Sequence, residues 1–137
     1  TRAMVGKSKN IIIVDRQSDI RELIRVCDAF VSFGSTTTID ALVAGKLTIC
    51  PIFPGWVFSD TFKNSNAFLT PGSAQEILDI FQLIACGGQA SVMTKIESAR
   101  QDILTSWVHR ADGMASSRVA ELALQTANYK GDHYDKL

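Results

Sequence analysis

The sequence predicts an α/β fold: an open parallel sheet flanked by helices, with a helical C-terminal part. Three observations lead to it. Short apolar runs rich in β-branched residues stand at 10–14, 29–33 and 47–50, as expected for strands buried on both faces. Helix-period segments separate them, so successive strands form βαβ units, which imply parallel pairing. From Ser73 onward the pattern is helical throughout.

The first run, NIIIV at 10–14, is the first expected strand. Asp19 and Glu22 follow at capping-box spacing, with Asp in place of the usual Ser or Thr. Ile20, Leu23, Ile24 and Cys27 then share one helical face, and this helix should end near Asp28. Residues 29–33 form the second strand. A short helix at 39–44 stops at Gly45, and residues 47–50 make a third strand closed by Pro51.

Residues 53–66 follow no clean period and contain Pro54, Gly55, Trp56, Phe53, Phe58 and Phe62. A loop of this length inside a compact domain is often functional. Its aromatic side chains suit either stacking on a ligand or packing as a small satellite core. Residues 67–69 fit a brief fourth strand. Ser73 and Glu76 form a second capping box, before an expected buried stripe of Ile77, Ile80, Phe81 and Ile84. Gly87 and Gly88 end that helix. Another helix spans 92–109, with Met93, Ile96, Ile103, Leu104 and Trp107 on its apolar side. Asp112 and Gly113 break the chain, and a last amphipathic helix covers 115–128. The reading is one domain over 1–128 and a loose polar tail over 129–137.

Bulk composition narrows the function classes. The 137 residues are 46% hydrophobic and 20% charged, as in globular domains. Fourteen basic residues balance 14 acidic ones, which argues against a general nucleic-acid backbone binder. Cys27, Cys50 and Cys86 are scattered, with no CxxC pair and no Cys/His cluster. That pattern suits free thiols in a reducing compartment rather than zinc ligands, so no metal is expected. No run of about 18 apolar residues and no signal peptide is visible, and a cytoplasmic protein without a transmembrane segment is expected.

The chemistry gathers at the C-terminal end of the second strand, the edge at which open parallel sheets bind ligands. Gly34 allows close approach to the backbone. Ser35, Thr36, Thr37 and Thr38 add hydroxyl donors to their amides, a way to hold phosphate without Lys or Arg. Ser35 or Thr36 equally fits an ordinary helix cap. Neither GxxxxGK[ST] nor GxGxxG is present. His109, beside Arg110, suits a helix C-terminus, and His133 lies in the tail. Asp112 and Arg118 suit a cap and its ion-pair partner.

Three segments carry a family resemblance. They are Cys27-Asp28-Ala29-Phe30-Val31-Ser32, Gly34-Ser35-Thr36-Thr37-Thr38-Ile39-Asp40-Ala41-Leu42 and Ala44-Gly45-Lys46. Together they resemble the C-terminal half of GT-B nucleotide-sugar glycosyltransferases and the related UDP-N-acetylglucosamine 2-epimerases. The run from Asp112 to Val119 is similar to a segment near the C-terminus of the epimerases and of some surface-polymer transferases.

This resemblance implies a Rossmann-like sheet that binds a nucleotide-diphosphate sugar as substrate, with no separate cofactor. Gly34, Ser35, Thr36, Thr37 and Thr38 would hold the donor diphosphate. Asp40, where the family usually has Glu, would take the ribose hydroxyls, a role a carboxylate suits by accepting two hydrogen bonds. A first-turn acid favouring the helix dipole is the competing role for Asp40. The loop after the first strand commonly meets the base, which points to Arg16 and Gln17; a solvated loop is the alternative.

The sequence departs from the epimerases after the third strand. It has Pro51-Ile52-Phe53-Pro54-Gly55-Trp56-Val57-Phe58 where they carry a charged run. Transfer of a sugar to an acceptor is therefore the first expectation. An epimerase relative and a noncatalytic nucleotide-binding or interaction domain are the alternatives. The family's acceptor site and base come largely from another half, so a missing N-terminal domain or a partner subunit is expected.

Overall fold

A computed structural model describes residues 10–55 and 65–134, with side chains described through Ala127. The chain is α/β. Among the described residues five helices accompany a two-stranded parallel sheet: α1 (Ile20–Val26), β1 (Ala29–Val31), α2 (Thr37–Val43), β2 (Leu47–Ile49), α3 (Ala74–Ala85), α4 (Gln89–Trp107) and α5 (Ala115–Tyr134).

The centre is the unit β1–α2–β2. Ala29, Phe30 and Val31 pair in parallel with Leu47, Thr48 and Ile49. All three β2 residues are buried, as their apolar and β-branched sequence requires. Residues 67–69 add one parallel bridge, Ile49 to Leu69, rather than a full strand. The Leu69 amide donates to the Thr48 carbonyl at 3.0 Å, and the Cys50 amide to the Leu69 carbonyl at 2.7 Å. Leu42, Cys50, Ala67, Phe68 and Ile103 form the core, with Ile39, Ala99 and Leu104 against it. The core thus joins α2, the end of β2 and α4.

Helix ends follow their local chemistry. At the end of α2 the Gly45 amide donates to the Leu42 carbonyl and the Lys46 amide to the Ala41 carbonyl, both at 3.0 Å. This is a Schellman closure, and it needs the left-handed backbone that Gly45 adopts at φ 69°. Ahead of α3, Ser73 Oγ accepts the Glu76 amide at 3.2 Å, as the capping box predicts. Glu76 reaches back one residue further than expected and accepts the Gly72 amide at 3.0 Å. At α1, Asp19 accepts the Arg21 amide at 2.9 Å, while Glu22 pairs with Arg25 instead of closing a box.

Four expectations change. Residues 11–14 are not a buried strand: Ile12 is 85% exposed and Ile11, Ile13 and Val14 are about half exposed. Strand propensity is realised through pairing and burial, and no described strand pairs with this run. The α3 stripe is only half-buried, with Phe81 exposed, because no described element packs closely upon it. His109 lies just past α4 with φ 62°, rather than within it. The last helix runs to Tyr134, past the expected end at 128, and leaves Val119, Leu122 and Leu124 exposed.

Candidate functional site

The turn between β1 and α2 is built from below. Ser32, directly after β1, is buried, and its amide donates to the Ile49 carbonyl at 2.9 Å. Ser32 Oγ accepts the Ser35 amide at 3.2 Å and the Thr38 hydroxyl at 3.1 Å. Gly34 crosses this turn at φ 92°, a conformation that strongly favours glycine.

The residues expected at this turn divide into two groups. Gly34, Ser35 and Thr36 are exposed and Thr37 is half-buried. Thr38 is fully buried, which removes it from direct contact with a ligand. Ala41 and Leu42 follow it by three and four positions, so the three share one face of α2, and that face is buried. The helix cap falls to Ser35, whose Oγ accepts the Thr37 amide at 3.3 Å and the Thr37 hydroxyl at 2.8 Å. Thr36, although it stands at the N-cap, makes no capping bond with its side chain.

This leaves a defined set of donors facing outward. With both acceptor positions filled by Thr37, the Ser35 hydroxyl has its proton left to give. The Thr36 hydroxyl makes no hydrogen bond among the described residues, and neither do the Gly34 and Thr36 amides. Exposed donors gathered on one glycine-containing turn suit an anion.

Asp40 stands exposed in the first turn of α2 and accepts no hydrogen bond among the described residues. Arg21, at the start of α1, is within its electrostatic reach, and the two carboxylates of Asp19 and Asp40 both hold the guanidinium in its charged form. Arg21 binds Asp19 through Nε at 3.1 Å and Nη2 at 3.0 Å. Arg21 and Asp40 stand on α1 and α2, which β1 separates in the chain, so no local sequence pattern marks their pairing.

Arg16 and Gln17 lie apart from this group. With Ile13, Val14 and Asp15 they line an open concavity of about 610 Å³. Asp15 shapes their loop by accepting the Gln17 amide at 2.9 Å through its side chain and the Ser18 amide at 3.1 Å through its carbonyl. No hydrogen bond or ion pair among the described residues joins Arg16 or Gln17 to residues 34–40.

Comparison with family models, with curated proteins and with solved structures returns no match to this chain.

The remaining candidates fall as follows. Phe53 meets Phe33, the residue before Gly34, with ring centroids 6.4 Å apart. Trp56, Phe58 and Phe62 lie outside the described residues. Asp112 Oδ1 accepts the Met114 amide at 3.0 Å and its carboxylate pairs with Arg118 at 2.8 Å, a structural arrangement at the start of α5. The Arg118 guanidinium holds the Asp112 carboxyl below its ordinary range. His109 is exposed, and the His133 side chain lies outside the described part. Among the described residues no cluster of His, Cys, Asp and Glu could hold a metal ion, and no single helix is long and apolar enough to cross a membrane.

Proposed function

We propose that the turn at residues 34–37 binds the diphosphate of a nucleotide sugar, and that the chain is the donor-binding domain of a cytoplasmic GT-B-type glycosyltransferase with a Rossmann-like sheet. The observation that carries this reading is the set of outward donors on Gly34, Ser35 and Thr36, held over a buried hydroxyl network. Oriented amides and hydroxyls that need no reorganisation stabilise the charge that builds on a departing diphosphate. The seven-residue α2 adds little dipole, so the turn itself supplies the donors.

Asp40 would receive the ribose hydroxyls, since its carboxylate is exposed and accepts no hydrogen bond among the described residues. Arg16 and Gln17 would meet the base. Thr38, fully buried, would not touch the ligand. A second domain or a partner subunit would bring the acceptor and the group that activates it. The exposed apolar side chains of residues 11–14, α3 and α5 support such a cover, because apolar surface of this extent is commonly buried in an assembly.

Calorimetry with UDP, CDP, GDP and their sugars tests the reading. Saturable heat with one of these nucleotides is expected. An absence of heat with every one of them would sink it. Binding without transfer by the whole assembly would instead leave a noncatalytic nucleotide-binding domain.

A further inference from the structure

We infer that Ser32 and Thr38 are positioning residues for the turn at 34–36: their buried hydroxyls aim its donors without touching the ligand. This deepens the donor-site reading and rests on it.

The geometry is a chain of contacts through the core. Ser32 is fixed to β2 by its amide bond to the Ile49 carbonyl at 2.9 Å. Its Oγ then holds two parts of the following segment at once, the Ser35 amide at 3.2 Å and the Thr38 hydroxyl at 3.1 Å. One oxygen therefore ties the end of β1 to the turn and to the first turn of α2. Thr38 is 0% exposed and Ser32 is 6% exposed, so a dissolved ligand reaches neither. On its far side Thr38 lies beside the Cys50 thiol, which is also fully buried. Burial pushes that thiol up to about 11, so the network stays uncharged at neutral pH.

The two residues have different tasks from their neighbours. Ser35 and Thr36 face outward and supply donors. Ser32 fixes the direction of the Ser35 amide, and Thr38 fixes the Ser32 hydroxyl. Without the Thr38 hydroxyl, Ser32 Oγ loses one of its partners and the turn loses order. The ligand must then restore that order on binding, which weakens affinity.

The test compares Thr38→Val, which keeps the shape but removes the hydroxyl, with Thr38→Ser, which keeps the hydroxyl. Two readouts are taken: calorimetric affinity for whichever of UDP, CDP and GDP the wild-type protein binds, and hydrogen exchange at the Ser35 amide. Thr38→Val should weaken affinity about fivefold, the scale of one lost hydrogen bond, and should speed Ser35 exchange. Thr38→Ser should return both toward wild type. Should Thr38→Val fail to fold, Ser32→Ala removes the shared acceptor and should give the same two changes. Unchanged affinity and exchange in the hydroxyl-free variant, or no recovery in Thr38→Ser, would overturn the inference. If the wild-type protein binds none of the three nucleotides, the donor-site reading fails, while Ser35 exchange still decides whether the hydroxyls hold the turn.

Discussion

Arg100 reaches from α4 to the backbone of α2: its Nε donates to the Leu42 carbonyl at 3.0 Å, while Glu97 holds its Nη1 at 2.8 Å. The Arg100 side chain is only 13% exposed. Leu42 belongs to the last turn of the helix that carries the candidate site, and its carbonyl accepts the Gly45 amide as well, so Arg100 fills the second acceptor position of an oxygen in the helix's closing turn.

Arg100→Met keeps much of the apolar stem and removes the donor. It should lower stability by about 1–3 kcal/mol, the range for a hydrogen bond made by a charged group. Urea unfolding should show a lower midpoint with an unchanged slope. Glu97→Gln should cost far less, because Glu97 is 47% exposed and exposed ion pairs contribute little.

Gly45→Ala isolates backbone strain. A Cβ at Gly45 would meet only Arg100 Nη2, at an ordinary 3.8 Å, so there is no clash to relieve. The cost is that of forcing alanine to φ 69°, roughly 1–2 kcal/mol. Gly45→Asn should cost less, since Asn tolerates this region better. Thermal melts of the two variants beside wild type check the order.

Thr36→Ala separates a cap from a ligand contact. Alanine at an N-cap ordinarily costs about 1 kcal/mol. Thr36 makes no capping bond with its side chain, so the melting temperature should barely move, while calorimetry should show weaker nucleotide binding. A clear fall in stability with unchanged affinity would return Thr36 to a capping role.

The start of α5 should depend on pH. Arg118 lowers the Asp112 carboxyl from its ordinary 3.8 and the Met114 amide adds to the effect. A depressed folded-state value means the stabilisation is present above the unfolded value and is lost as pH falls through the lower folded one. Helical signal from residues 115–120, followed by NMR, should therefore persist at pH 5 and decline below 3.8. Asp112→Asn should abolish that decline.

Much of the central unit was legible in the residues. Leu47 to Ile49 within the expected strand at 47–50, Gly45 as a helix stop and the Ser73 cap on the Glu76 amide each depend on neighbours close in sequence, and each forms there. Residues 11–14 carry the same β-branched signature as β2, yet β2 lies between β1 and Leu69 while 11–14 has no described partner strand. Composition records what a run can do; pairing decides what it does. At the site the hydroxyl run was visible, but its division was not. Thr38 and Thr36 are the same residue type two positions apart, and only the helical turn sends one inward and the other out. The strand pattern at 29–33 does not reveal the role of Ser32, because its hydroxyl acts on residues three and six positions ahead.

Cys50 gives the protein an internal clock. Its sulfur lies beneath Thr38 with no exposed surface, whereas Cys86 stands exposed after α3. A thiol reagent should therefore mark Cys86 at once and Cys50 only during moments when the core parts. The interval between the two reactions measures how often the floor of the turn opens, and a molecule that settles on the turn should lengthen it.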